Sequence, residues 1–306
     1  MRFTIYQESR QGGRQNNEDR IAYCYSREAL LMVVADGMGG HFYGEIASQI
    51  AVQTLTDNFQ HEATPAIDDP FRFLQKGITN AHHAIIEYSA KHGLKESPRT
   101  TCVACIIQDN IAYWAHAGDS RLFLMRGGKV VAQTRDHSRV RLLMEEGVIN
   151  EAQAAKHPDR NKIYSCLGSD QPPEIDFSRK TLLENGDILL LCTDGLWGVL
   201  SGEMMAVALK GSNLMNTVPM LLSQAETKAG AHGDNLSVVA VRWEQSYHDE
   251  ENQHSVSTQT MALDEVTTRF DEFGRNPAYK TDLSDDEIEK AIDEIRAAID
   301  KYNPKK

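Results

Sequence analysis

An α+β domain built on antiparallel sheet is the fold class this sequence predicts. Three observations carry that expectation. Short apolar runs of strand length come in clusters. Long stretches of helical periodicity stand between the first two clusters. Hairpin turn chemistry, QDN at Gln108–Asn110 and RGGK at Arg126–Lys129, joins successive runs of the middle cluster. Such an order implies sheets with helices packed outside them.

The first cluster is Arg2–Tyr6, Ile21–Tyr25 and Leu30–Ala35. Two helical patterns follow. Gly44–Asn58 places Ile46, Ile50 and Leu55 near one face, and Pro70–His92 does the same with Phe73, Leu74, Ile78, Ala81, Ile85 and Tyr88. Thr101–Ile107, Ile111–Ala117 and Leu122–Arg126 form the middle cluster. Ile188–Cys192 and Leu236–Trp243 come late, with a further helical pattern over Leu214–Lys228 between them. Around Gln245–Thr268 the pattern dissolves into Ser, Thr, Gln and His, as in a linker. SDDE at Ser284–Glu287 then resembles a capping box. Ile288, Ala291, Ile292, Ile295, Ile299 and Tyr302 follow at helical spacing. The expected organisation is a folded domain over 1–245, an acidic Ser/Thr-rich linker over 246–283 and an amphipathic helix over 284–306. The apolar stripe of that helix calls for a cover, either the protein's own domain or a partner.

Bulk properties narrow the function classes. A chain of 306 residues forms one large domain or two small ones. The net charge of −12 argues against a nucleic-acid binder, whose footprint is basic. More than half of the negative excess falls after Tyr247. The 5 cysteines are scattered through mostly apolar runs, as expected of buried, reduced thiols in a cytoplasmic protein. Cys102 and Cys105 form a CxxC, but the second pair that a zinc site needs is missing. The opening MRFTIYQESRQGG has no apolar core of the kind a signal peptide carries. No run approaches the ~18 apolar residues of a membrane span.

The chemistry is expected where apolar strands end. Val33–Gly40 reads VVADGMGG, so a strand that looks built for burial delivers Asp36 into a glycine-rich turn. Ile188–Cys192 runs into Thr193, Asp194 and Gly195, and Ile111–Ala117 runs into Gly118 and Asp119. Gly233 and Asp234 precede Leu236–Trp243. Asp-Gly and Gly-Asp pairs are ordinary turn formers, and any one of them would mean no more than that. Four at the ends of strongly apolar strands mean more. A buried carboxylate is costly without compensation. Yet Arg121 is the only Lys or Arg within two positions of any of the four. Divalent cations would compensate them and remove their mutual repulsion, and an oxygen-only donor set suits Mg²⁺ or Mn²⁺. Glycine leaves a backbone carbonyl open to such an ion. Upstream, GGRQNNEDR (Gly12–Arg20) carries Arg14, a fork suited to phosphate, and the adjacent acids Glu18 and Asp19.

These residues resemble the metal-dependent serine/threonine protein phosphatases of type 2C in their bacterial form. The likeness rests on RQNNED (Arg14–Asp19), VVADGMGGHFYGEIAS (Val33–Ser48), RTTCVACII (Arg99–Ile107), AHAGDSRLFLMRGGKV (Ala115–Val130), RDHS (Arg135–Ser138), HPDRNKIYSCLG (His157–Gly168), LLLCTDGLWGVLS (Leu189–Ser201) and GDNLSVVAVRW (Gly233–Trp243). They occur in family order across residues 1 to about 243. The resemblance implies a four-layer αββα sandwich, two central antiparallel sheets flanked by helices, with a metal cluster at one end. It implies that Asp36 bridges two Mg²⁺ or Mn²⁺ ions, that the Gly37 carbonyl binds one and that Asp194 and Asp234 complete the other. Glu18 and Asp19 would hold water ligands, and Asp119 with Asp194 a third, weaker ion. Arg14 would grip the substrate phosphate, and His41 takes the place of the family's proposed proton donor. The implied reaction is direct hydrolysis of phosphoserine or phosphothreonine in proteins, reversing a bacterial Ser/Thr kinase. The implied partners are that kinase and its substrates, with no nucleic acid or membrane.

The sequence departs from the family's pattern in places. Arg99 stands where many relatives carry glycine, and Phe42 and Tyr43 replace smaller residues beside the metal loop. Glu146–Leu167 corresponds to the mobile flap of bacterial relatives. Other function classes fit less well. A cysteine-based phosphatase needs a thiolate followed by a loop ending in Arg, and no Cys here has Arg six positions on. A non-catalytic binding relative would have lost a metal-bridging acid, and a regulator of small signalling domains tends to lack the phosphate-gripping Arg. Asp36, Asp194, Asp234 and Arg14 are all present. His82–His83 lies mid-helix beside apolar residues and reads as one exposed and one half-buried histidine.

Overall fold

The strands and helices form in the predicted order, with short additions. The computed structural model describes residues 1–38, 43–154 and 156–244. β1 (Arg2–Arg10), β2 (Arg20–Tyr25), β3 (Ala29–Ala35) and the two-residue β4 (Gly37–Met38) come first, followed by α1 (Gly44–Glu62) and α2 (Pro70–Lys91). Helix α2 starts where the sequence supplies a cap. Asp69 accepts from the Arg72 N–H at 3.1 Å, and Pro70 opens the first turn. Next come β5 (Arg99–Thr100), β6 (Cys102–Gln108), β7 (Ile111–Ala117), β8 (Arg121–Arg126) and β9 (Lys129–Gln133). Both predicted hairpin turns form with left-handed central residues, Asp109 and Asn110 in one and Gly127 and Gly128 in the other. The short helices α3 (Arg139–Glu145) and α4 (Glu151–Ala154) lead to the two-residue β10 (Asp176–Phe177) and β11 (Thr181–Leu182). β12 (Ile188–Cys192), α5 (Asp194–Trp197), α6 (Gly202–Leu209), α7 (Leu214–Ala229) and β13 (Leu236–Glu244) complete the described chain.

Two antiparallel sheets are stacked face to face. One has the order β1-β13-β12-β8-β9, the other β10-β7-β6-β3-β2, with β11 also on β7. Alternation along each strand sorts the apolar side chains into three clusters. Leu30, Met32 and Val34 meet Leu122, Leu124, Leu189, Leu191, Val239 and Val241 between the sheets. Leu31, Val33 and Ala35 face α1 and α2. Leu190, Cys192, Val238 and Ala240 pack with residues of α5, α6 and α7. The result is the αββα sandwich. It explains why Ala29–Ala35 is apolar at every position, since both of its faces are covered.

Register brings the acidic strand ends together. Cys192 pairs with both Arg121 and Val238, so the end of β12 lies beside the starts of β8 and β13. In the other sheet Ala35 pairs with Arg20, Val34 with Val103 and Cys102 with Ala117. The turn Gly118–Ser120 crosses from β7 to β8 and so joins the two sheets at this same end.

One detail differs from expectation. His82 is fully buried rather than half-buried, because its Nδ1 accepts the Gly168 N–H at 3.1 Å; His83 is exposed as expected. The segment after β9 carries α3 and α4. Its ends are closed by the bridges Ser138↔Ile163 and Thr100↔Leu167. All five cysteines are free. Cys102 faces the helices and Cys105 faces the opposite sheet, so this CxxC cannot share an ion. No helix among the described residues is long and apolar enough to cross a membrane. The linker over 246–283 and the helix over 284–306 lie outside the described residues.

Candidate functional site

Asp36 is fixed through its backbone. Its N–H donates to Thr101 Oγ1 at 3.0 Å, and its carbonyl accepts from the Thr101 N–H at 2.9 Å and from Thr100 Oγ1 at 2.8 Å. Thr101 Oγ1 also meets Ser120 Oγ at 2.7 Å, which couples the Asp36 turn to the residue after Asp119. The next residue must be glycine. A Cβ on Gly37 would run into the carbonyls of Gly44 and Glu18. The Gly37 N–H donates to Glu18 O at 3.2 Å, and Ser48 Oγ donates to the same oxygen at 2.5 Å.

The loop carrying Arg14, Glu18 and Asp19 is pinned by buried amides. Asn235 accepts the Glu18 N–H through Oδ1 at 2.9 Å and donates through Nδ2 to Gln11 O and Asn16 O. Asn17 accepts the Asp19 N–H and donates to Ser9 Oγ. Arg20 donates to the carbonyls of Asn17 and Asp19 at 2.8 and 2.7 Å. Asp19 is 2% exposed; its Oδ2 accepts from Thr193 Oγ1, and its Oδ1 has no hydrogen-bond partner. Asp194 Oδ1 is equally buried and equally unpartnered. These amides, threonines and Arg20 escape a sequence reading because each looks like an ordinary turn residue. The only available signals for Asn235 and Thr101 are the GDN and TT patterns within the quoted motifs, which by themselves name neither residue.

Five of the singled-out acids feel one another. Burial first, and then Asp19, Asp194, Asp119 and Asp234, hold the Asp36 carboxyl well above its usual range. Burial also raises Asp119 to about 8, Asp19 to about 7 and Asp194 to about 6, with neighbouring carboxylates adding to each. The Asp19 and Asp194 oxygens without partners belong to the same all-oxygen donor set, which fits a hard divalent cation.

Arg121 draws the Asp119 pKa down only in part, against the larger effects of burial and of Asp194. Arg121 makes a bidentate pair with Asp136 at 2.7 Å and lies 3.5 Å over the Trp197 ring. Arg14, 57% exposed along its side chain, reaches Asp234 Oδ2 at 2.5 Å. The structure therefore brings together Arg14, Asp19, Asp36, Asp119, Asp194 and Asp234, with Glu18 and Gly37 in the same backbone network. His41 and Phe42 lie outside the described residues.

Comparison with known proteins places the chain among relatives of one family. The protein phosphatase 2C family matches residues 7–220. The protein phosphatase PhpP of Streptococcus pneumoniae is 34% identical over 235 residues, spanning 74% of this chain and 92% of its own. Among solved structures, the serine/threonine phosphatase of S. agalactiae superposes with a TM-score of 0.71 at 32% identity, covering 79% of this chain and all of its own. The catalytic domain of the serine/threonine phosphatase PstP, in complex with 2 manganese ions, gives 0.68 at 29% identity, covering 79% of this chain and 99% of its own.

Proposed function

The chain belongs to the protein phosphatase 2C family and is a protein serine/threonine phosphatase, and from that premise we propose that it hydrolyses phosphoserine and phosphothreonine in proteins at the acidic end of the sandwich, with divalent ions bound there. The observation that carries this reading is the electrostatic state of the acids. Buried carboxylates crowd one another until they would hold protons near neutral pH, and two of their oxygens are without partners. Divalent ions relieve both conditions.

In this reading Asp36, the Gly37 carbonyl, Asp194 and Asp234 would together hold two Mg²⁺ or Mn²⁺ ions. Glu18 and Asp19 would hold water ligands of those ions, and Asp119 with Asp194 would hold a third. Two bound ions would supply a water acidic enough to attack at neutral pH and would neutralise phosphoryl charge. Arg14 holds the substrate phosphate; its exposed fork at the rim of the acid cluster supports that role. His41 protonates the leaving alkoxide, for which an imidazolium is the natural acid. Attack is direct, with no phospho-enzyme. The substrates are proteins phosphorylated by a bacterial Ser/Thr kinase, the kinase itself included.

The test is phosphate release from a phosphothreonine peptide in Mn²⁺. Release is expected to stop on addition of EDTA and in Asp36→Asn. Activity that survives both treatments rules out the metal mechanism.

A further inference from the structure

A second group of ligand-type side chains lies outside the acid cluster. His116, near the end of β7, pairs in register with Asp176 of β10. Directly opposed residues of antiparallel strands project from the same face with Cβ atoms ~4.5–5.5 Å apart. His137 enters from the turn after β9, held by its N–H to Gly118 O at 3.0 Å. Its Nε2 lies 3.5 Å from Asp176 Oδ2. One ligand atom from each of the three residues lies within 4.8 Å of the other two.

The polar atoms of this group are incompletely used. His116 and His137 are 3% and 1% exposed, yet His116 Nδ1 and His137 Nε2 have no hydrogen-bond partner. His116 Nε2 lies 2.6 Å from the Arg135 carbonyl, so it carries the ring proton and leaves a lone pair on Nδ1. An imidazole that donates one N–H to a backbone carbonyl while its other nitrogen stays open is how proteins orient a metal-ligating histidine. Burial favours the neutral ring, the form that ligates.

We propose that His116, His137 and Asp176 form a binding site for a transition-metal ion of the Zn²⁺ type, distinct from the oxygen-lined acid cluster. Two imidazole nitrogens and one carboxylate select Zn²⁺, Co²⁺ or Ni²⁺ over Mg²⁺, and three protein ligands leave a fourth position for water. Asp176, with 49% of its side chain exposed, opens that position toward solvent.

The site sits at the root of the excursion that carries α3 and α4. Tyr164 stacks on the His137 ring with centroids 5.5 Å apart, and its N–H donates to His137 O at 2.8 Å. On the other side His137 Nδ1 accepts a long bond, 3.3 Å, from the Gly118 N–H. Binding through Nε2 moves the ring proton from Nε2 to Nδ1, and Nδ1 then no longer accepts from Gly118. The ion would therefore tie β7, β10 and the excursion together while loosening one contact to the turn that carries Asp119.

The test is a Co²⁺ titration of the full chain in excess Mg²⁺. A four-coordinate site with two nitrogens gives an intense visible absorption, whereas six-oxygen sites give a weak one. One equivalent of Co²⁺ is expected to produce the intense band, and Zn²⁺ to bleach it. Asp176→Asn and His116→Gln are each expected to weaken the affinity by roughly tenfold or more. Asp176→Asn changes a half-exposed side chain and decides the matter alone if His116→Gln fails to fold. A wild-type protein showing only the weak band, or an intense band of unchanged affinity in Asp176→Asn, overturns the proposal.

Discussion

Thr193 donates its hydroxyl to Asp19 Oδ2 at 2.9 Å and accepts the Ser237 N–H at 3.0 Å. One buried hydroxyl thereby joins the end of β12, the start of β2 and the second residue of β13. It also satisfies one Asp19 oxygen and leaves the other open. Thr193→Val keeps the side-chain volume and removes both bonds. The expected cost is about 1–3 kcal/mol, seen as a melting temperature lower by several degrees. Thr193→Ser should recover most of it. A Thr193→Val variant as stable as wild type would show that the link is not structural.

Stability without divalent ions should fall as pH rises. Asp19 is raised to about 7, Asp119 to about 8 and Asp194 to about 6, all above the unfolded carboxylate value of about 3.9. The folded chain thus keeps protons that the unfolded chain has released. That contribution is full below about pH 4 and is lost as pH rises through 6 to 8. In EDTA, melting should therefore occur at lower temperature at pH 8 than at pH 5.5, and Asp19→Asn should flatten the dependence. Saturating Mn²⁺ should flatten it too. Parallel wild-type and Asp19→Asn profiles in EDTA would contradict the assignment.

Arg14 pairs with Asp234 at the exposed rim, where a phosphate would compete for the same guanidinium. Arg14→Ala should lower kcat/KM on a phosphothreonine peptide by roughly 10–100-fold, the loss of about 1.5–3 kcal/mol of charge-assisted hydrogen bonding. Arg14→Lys should restore only part, since an ammonium lacks the planar fork. Steady-state kinetics at saturating Mn²⁺ measure both.

Gly37 is hemmed in by the carbonyls of Gly44 and Glu18. Neither backbone can retreat easily, because Ser48 Oγ holds the Glu18 carbonyl and Gly44 opens α1. Gly37→Ala should cost about 1–3 kcal/mol by overpacking and should lower activity by displacing the adjacent Asp36. Calorimetry and phosphate release together check this; a fully active, equally stable variant would refute it.

The sandwich was largely legible because its strands are short, apolar and punctuated by turn residues that act locally. Asp109–Asn110 and Gly127–Gly128 adopt the left-handed turns that their residue types favour. The acidic strand ends were legible for the same reason, since a carboxylate beside glycine after an apolar run stands out. The supporting network was not. Asn235 bonds the Glu18 N–H across 217 positions, and Thr101 bonds the Asp36 N–H across 65. Such contacts leave no periodic trace. Helix α3 buries none of its residues, so no apolar stripe announced it. The two-residue β10 is too short to read as a strand, which hid the pairing of Asp176 with His116.

The most direct test of the central claim is thermal unfolding at pH 7.5 across a Mn²⁺ titration, wild type beside Asp36→Asn. If the crowded acids are a divalent-ion site, the wild-type midpoint climbs with Mn²⁺, about 2.7 kcal/mol of stabilisation at a hundred times Kd, and Asp36→Asn loses most of that climb. A wild-type midpoint indifferent to Mn²⁺, or an equal climb in Asp36→Asn, would contradict it.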